Sequence, residues 1–122
     1  MVRREGQRLD DILHAIGELR AFTAGMDASA FLANRATQQA CAAALTVIGE
    51  AVKALPSDLR GRYPTIQWAQ WAGLRDFLVH QYFRIDQQRI WRIIERDVPP
   101  LEAAASAELE RALREGGSEE DA

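Results

Sequence analysis

Four polar side chains that could do chemistry together lie within residues 74–83, a segment that otherwise has the composition of an apolar helix. They are an arginine, a carboxylate, a histidine and a tyrosine: Arg75, Asp76, His80 and Tyr82. Arginine binds phosphate through paired N–H donors, and histidine titrates near neutral pH and can therefore move a proton. This combination suits phosphoryl transfer, so the segment predicts a site at the edge of a hydrophobic core.

The spacing of these residues divides them between two faces of a helix, which turns by about 100° per residue. Asp76 and His80 are four residues apart and share a face, so the carboxylate can orient the imidazole and raise its basicity. Arg75 and Tyr82 are seven residues apart and share another face. Arg75 and His80 are five residues apart and point about 140° away from each other. Either the helix is distorted near His80, or a second copy of the chain completes the site.

Arginine and histidine are sufficient, in principle, for cleavage of RNA by its own 2′-hydroxyl, a reaction that needs no metal. Arg75 would bind the phosphate and stabilise charge in the transition state, and His80 would transfer the proton. The same side chains could instead form a satisfied polar network that only stabilises a helix bundle. Spacing alone leaves both interpretations open.

Composition predicts a single all-α domain. The chain has 122 residues, of which 48% are hydrophobic, and it is rich in alanine and leucine with only four prolines. The net charge of −3 arises from the segment 115–122, which holds four of the 18 acidic residues and none of the 15 basic ones. We therefore expect a flexible N-terminus over residues 1–8, a near-neutral helical domain over 9–114 and a disordered acidic tail over 115–122.

Apolar residues recur at three- and four-residue intervals and predict an antiparallel bundle of four to five helices. Gly25 is expected to end the first helix, with Asp27 or Ser29 as the next cap. Asp86 is expected to cap the fourth helix, and the prolines at 99–100 to end it. The predicted helices cover residues 9–23, 34–55, 66–82, a fourth segment that includes 90–98, and 101–114.

Other features narrow the class of protein. The sequence has no clustered metal-ligand pattern, no glycine-rich phosphate loop and no apolar run long enough to span a membrane. Its start lacks the apolar segment of a signal peptide, and the single cysteine, Cys41, is expected in the core, so we expect a cytoplasmic protein without cofactor or metal.

Three further charged residues have open roles. Glu50 interrupts a small and apolar run, where it is either solvated or, as we favour, the partner of an arginine at the edge of the core. Arg60 and Arg62 lie in a loop and are either solvated charges or contacts to a phosphate backbone.

Arg75, His80 and Tyr82 match an Arg-x4-His-x-Tyr motif, through which the chain resembles the HepT-like toxins of the HEPN superfamily. The resemblance covers residues from about 9 to about 105. Its successive blocks are Ile48-Gly49-Glu50-Ala51, Tyr63-Pro64-Thr65-Ile66-Gln67-Trp68, the segment from Leu74 to Phe83, Ile90-Trp91, and Asp97-Val98-Pro99-Pro100-Leu101.

The resemblance implies a dimeric helical bundle and a metal-independent ribonuclease with Arg75 and His80 at the dimer cleft. It also implies the toxin half of a type VII-like toxin–antitoxin pair, whose antitoxin is a nucleotidyltransferase of the MntA type. That partner would transfer AMP to Tyr82 and assemble with the toxin dimer, in a larger complex in some cases. The orienting role of Asp76 comes from its spacing to His80 and not from the resemblance.

Two alternatives stand beside this interpretation. HEPN domains also serve as non-catalytic modules that bind nucleotide or substrate for a nucleotidyltransferase, with the same polar residues as ligands. In a purely structural bundle, the motif residues would only stabilise the dimer.

Overall fold

The computed structural model describes the backbone of residues 2–80 and 86–121 and the side chains of residues 4–78 and 86–115. Every regular element within these ranges is helical, which confirms the predicted all-α fold. In chain order the helices are α1 (Val2–Phe22), α2 (Ala28–Leu32), α3 (Arg35–Lys53), α4 (Ser57–Gly61), α5 (Trp68–His80), α6 (Gln87–Arg92), a π-helical segment (Ile93–Asp97) and α7 (Val98–Asp121).

The longer helices enclose one hydrophobic core. Helix α3 packs against α1 and α5, and α1 also packs against α7. Helices α1 and α7 are antiparallel, because Arg20 pairs with Glu102 at one end while Gly6 lies beside Leu109 at the other. No helix in the described ranges is both long and apolar enough to cross a membrane. The largest fully buried side chains are Phe31, Leu9, Ile12, Ile16, Leu19, Leu45, Ile48, Leu59, Ile90, Leu101, Val52 and Cys41.

Polar caps set several helix starts where the sequence predicts them. The Asp27 carboxylate accepts a hydrogen bond from the backbone N–H of Ala30 at 2.8 Å, so Asp27, not Ser29, caps α2. Asp86 caps α6 in the same way. Helix α1 ends before Gly25, whose φ of 75° lies in the left-handed region that glycine adopts without strain.

Three predicted helix ends are wrong. Helix α1 begins at Val2, not at residue 9, because this stretch contains no proline and the helix tolerates Gly6 at a cost of about 1 kcal/mol. The prolines at 99–100 do not end the fourth helix; the chain stays helical through them from α6 to α7. Helix α7 continues to Asp121 past Gly116 and Gly117, since a helical glycine costs only about 1 kcal/mol. The predicted domain boundaries at 9 and 114 stay predictions.

A π-helical segment explains how the chain passes the two prolines. The backbone N–H of Val98 bonds to the carbonyl of Ile93, five residues earlier, so the turn that precedes Pro99 is wider than an α-turn. Proline lacks an N–H and its ring collides with the carbonyl four residues before it in a regular helix. A wide turn followed by the first turn of a new α-helix tolerates both defects.

A buried carboxylate anchors the loop between α4 and α5. Glu108 of α7 is only 5% exposed and accepts hydrogen bonds from Arg62, with the Nε at 2.9 Å, and from the Tyr63 hydroxyl at 3.3 Å. The hydrogen bond from Arg62 to Glu108 raises the pKa of Arg62. The Trp68 indole N–H, at the start of α5, donates to the carbonyls of Arg60 and Tyr63. Arg62 is therefore bonded to Glu108 within the same chain and is not merely a solvated charge. These hydrogen bonds fix where α5 begins.

Gly49 lets α3 and α5 approach each other closely. A Cβ atom at this position would lie 2.8 Å from the carbonyl oxygen of Trp71 and 3.5 Å from the amide nitrogen of Arg75. Backbone atoms cannot move aside as the end of a flexible side chain can. The glycine therefore sets the distance between the two helices at the turn that carries Arg75.

Replacement of Gly49 by alanine should lower the free energy of unfolding by about 1–3 kcal/mol, because the added methyl group forces the helices apart. Thermal unfolding measured by circular dichroism tests this. The control is Gly17→Ala in α1, where nothing lies within 4 Å of the new Cβ; it should leave stability unchanged or raise it by about 0.5–1 kcal/mol. Equal stability of Gly49→Ala and the wild type would contradict the close packing of α3 on α5.

Candidate active site

Helix α5 presents Arg75 and Asp76 on the outside of the bundle. Trp71, Leu74 and Leu78 are buried and attach the helix to the core. Arg75 and Asp76 follow Leu74 directly and are both exposed. The apolar positions thus fix the rotation of α5 and leave its polar residues accessible to a ligand from solvent.

An ion pair holds Arg75 in place. Its Nε lies 3.2 Å from Oε1 of Glu50, which projects from α3 beside Gly49. Lys53, one turn further along α3, lies 3.9 Å from the same carboxylate oxygen. The expectation that Glu50 pairs with an arginine at the edge of the core is confirmed. The Arg75 side chain remains 51% exposed, so the pair orients the guanidinium and still leaves it open to an anion.

The helix carrying the motif is regular between its arginine and its histidine. Helix α5 is α-helical from Trp68 through His80, so positions 75 and 80 differ by about 140° around its axis. A distortion between them, one of the two possibilities left by the sequence, is therefore not present. The His80 side chain and residues 81–85, which include Tyr82, lie outside the described part of the chain. The Asp76–His80 contact and the shared face of Arg75 and Tyr82 stay predictions.

A further arginine, which sequence analysis missed, lies against the motif helix. The guanidinium carbon of Arg89 in α6 is 4.7 Å from the centre of the Phe77 ring, within the range of a cation–π interaction. The two residues are twelve positions apart on different helices, so no helical periodicity relates them. The contact arises only because α6 places Arg89 beside the Phe77 ring in the folded chain.

A comparison with protein-family models decides the family. The model described as Ribonuclease HepT-like matches residues 12–108, most of the chain. This chain belongs to the HepT-like ribonuclease family. The match includes α5 and the residues that contact it, Glu50 and Arg89. The resemblance to HepT-like members of the HEPN superfamily is thereby confirmed.

Curated relatives support the same family. A Thermococcus cleftensis protein named "Probable ribonuclease HepT" is 38% identical over 101 residues, 83% of this chain and 92% of that protein. Two Methanocaldococcus jannaschii proteins whose names begin "Putative RNase" are also similar. One is 41% identical over 93 residues, 76% of this chain and 80% of that protein. The other is 44% identical over 91 residues, 75% of each chain. No solved structure gave a significant match.

Two other residues of this HepT-like chain that could take part in chemistry, Cys41 and His14, lie on α3 and α1. Cys41 is fully buried in α3, and burial raises the pKa of its thiol to about 11, so it stays a neutral core residue as expected. His14 is exposed on α1 with its Nε2 3.8 Å from Glu18. Among the side chains that the structure describes, no three His, Cys, Asp or Glu residues are grouped so as to hold a metal ion.

Proposed function

We propose that this HepT-like protein is a ribonuclease that cleaves RNA without a metal, at a site that two copies of the chain build together. The supporting observation is that Arg75 is held exposed by Glu50 on a helix that remains regular through His80. One copy carries both residues on nearly opposite sides of one helix, so one small phosphate cannot reach both. Two α5 helices side by side would place the arginine of one copy near the histidine of the other.

The proposed reaction uses the 2′-hydroxyl of the RNA as nucleophile. Its oxygen bonds to the adjacent phosphorus while the bond from phosphorus to the 5′-oxygen breaks, which leaves a 2′,3′-cyclic phosphate and a 5′-hydroxyl. His80 accepts the proton of the attacking 2′-hydroxyl and, once protonated, donates a proton to the leaving 5′-oxygen. Arg75 binds the non-bridging oxygens and stabilises the negative charge that grows on them in the transition state. No electron transfer and no second reactant are required.

Asp76 is proposed as the residue that orients His80. Its side chain is exposed and lies four residues before His80, so the two positions share one face of α5. A carboxylate hydrogen-bonded to one imidazole nitrogen fixes the tautomer and leaves the other nitrogen free to accept a proton. Asp76 would act through His80 and not on the RNA itself.

We further propose that the enzyme is the toxin of a type VII-like toxin–antitoxin pair in the cytoplasm. The antitoxin would be a nucleotidyltransferase of the MntA type that transfers AMP from ATP to the Tyr82 hydroxyl and releases pyrophosphate. Family membership and the Arg-x4-His-x-Tyr spacing support this proposal. The added AMP would bring bulk and negative charge beside Arg75 and His80, and both would oppose entry of an RNA phosphate.

Replacement of His80 by alanine should abolish RNA cleavage in the presence of EDTA, because it removes the group that is proposed to transfer the proton. Arg75→Ala should lower the rate by a factor of roughly 100 or more, since it removes a charge that stabilises the transition state. Cleavage of a labelled RNA pool measures both, with circular dichroism to show that the variants are folded.

The matched control for the histidine is His14→Ala, which removes the other histidine of the chain from an exposed position on α1 and should retain full activity. Wild-type-like cleavage by His80→Ala in EDTA would refute the catalytic assignment. Nucleotide binding by a wild-type protein that cleaves no RNA would instead favour the non-catalytic binding module.

Incubation with the partner nucleotidyltransferase and ATP should add one or more AMP masses to the protein and stop RNA cleavage. Tyr82→Phe should prevent the mass increase, because the accepting hydroxyl is gone. The control is Tyr63→Phe, the other tyrosine, whose hydroxyl contacts buried Glu108 and which should still be modified. Mass spectrometry of the intact protein reads the result, and persistence of the added mass on Tyr82→Phe would rule out this site.

A further inference from the structure

Arg89 lies beside the motif helix α5, and the proposed reaction gives it no role. We propose that Arg89 is an RNA phosphate-binding residue that holds the substrate on the His80 side of α5. This inference rests on the proposed ribonuclease function and adds a residue to the substrate site. It starts from the 4.7 Å contact between the Arg89 guanidinium and the Phe77 ring.

The helical register of α5 places this contact next to position 80. Relative to position 75, position 77 is rotated by about 200° and position 80 by about 140°. Positions 77 and 80 are therefore only about 60° apart and one turn apart, whereas position 75 lies on the far side. Of these two described arginines, Arg89 and not Arg75 thus lies beside the histidine position within one copy.

The backbone of Arg89 is fixed by a helix cap. The Asp86 carboxylate accepts hydrogen bonds from the backbone N–H groups of Gln88 at 3.0 Å and Arg89 at 3.3 Å. The next residue, Ile90, is fully buried, and the Trp91 ring packs on Phe31 with the ring centres 5.2 Å apart. Helix α6 is therefore attached to the core immediately after Arg89. The Arg89 side chain thus projects from a rigid helix.

The Arg89 guanidinium, which lies over the Phe77 ring, keeps its hydrogen-bond donors available. A planar guanidinium over an aromatic ring uses its face for the ring and leaves its edge N–H groups for a phosphate. Arg75 and Arg62, in contrast, each pair with a carboxylate, Glu50 and Glu108. Arg89 is exposed and, within the described residues, has no carboxylate in ion-pair contact. The ring thus orients Arg89 without neutralising its charge.

This arrangement gives the two arginines separate roles in a site built by two copies. The partner copy would supply Arg75 to the phosphate that reacts, while Arg89 of the copy that carries His80 would bind a neighbouring phosphate of the same strand. Because the body of the protein is near neutral, local cations of this kind must supply the attraction for RNA. A contact of this type is made before and during the reaction alike, so it affects binding more than the chemical step.

Arg89→Ala should therefore weaken RNA binding roughly tenfold. Binding is measured with a single-stranded RNA that is 2′-O-methylated throughout, which removes the nucleophile and prevents cleavage. Across a series of salt concentrations, the slope of log affinity against log salt should fall by about 0.7, the value for one lost phosphate contact on a single strand. With cleavable RNA, KM should rise by a similar factor while kcat changes little.

Two further variants serve as controls for the Arg89→Ala measurement. Arg8→Ala removes an exposed arginine from α1, which packs on α3 and α7, and it should leave the affinity and the salt slope near those of the wild type. Arg89→Lys keeps the charge but loses the planar fork, so it should retain the salt slope and bind with intermediate affinity.

If Arg89→Ala binds the methylated RNA as tightly and with the same salt slope as Arg8→Ala, Arg89 is not a phosphate-binding residue. That outcome with normal cleavage by the wild type would overturn this inference and leave the ribonuclease proposal intact. A wild-type protein that cleaves no RNA would refute the ribonuclease proposal, whereas the binding series would still decide the role of Arg89.

Discussion

The close approach of α3 to α5 determines how the candidate site is presented. A single glycine, Gly49, brings the backbone of α3 against the carbonyl of Trp71 and the amide of Arg75. The next residue, Glu50, then lies within reach of the Arg75 guanidinium, which it contacts at 3.2 Å. The exposed ion pair contributes little to stability, about 0–1 kcal/mol, so its effect lies in the orientation of a guanidinium that faces solvent. Two consecutive residues of α3 thus act together: Gly49 sets the helix packing, and Glu50 orients the candidate site arginine.

The period of the α-helix imposes the second constraint. Because α5 is regular through His80, the positions of the arginine and the histidine face different sides of the helix. In the proposed site, two copies together would enclose a phosphate that lies between the arginine of one and the histidine of the other. The Arg89 guanidinium lies over the Phe77 ring close to the histidine position, so each copy would offer cations on both sides of α5. A substrate strand that crosses a pair of such helices would meet positive charge on either side of the acid–base group.

The sequence predicts the helices well because apolar residues repeat with the helical period. It predicts the caps at Asp27 and Asp86 because aspartate is strongly preferred at the residue before a helix. It fails at Pro99, because a π-helical turn can absorb a proline and leaves no mark on apolar periodicity. The sequence predicts that the partner of Glu50 is an arginine but does not say which arginine. The Arg62–Glu108 bond and the Arg89–Phe77 contact could not, since both depend on how distant segments meet in space.

A mixed dimer tests directly whether two copies complete one site. An Arg75→Ala chain and a His80→Ala chain, each with a different affinity tag, are co-expressed, and the dimer that carries both tags is isolated. This dimer retains one Arg75 and one His80 on different copies, so it should cleave RNA at about half the wild-type rate, while each parent homodimer should be at least roughly 100-fold slower than the wild type. A mixed dimer as inactive as its parents, prepared beside a fully active wild-type dimer, would contradict the account.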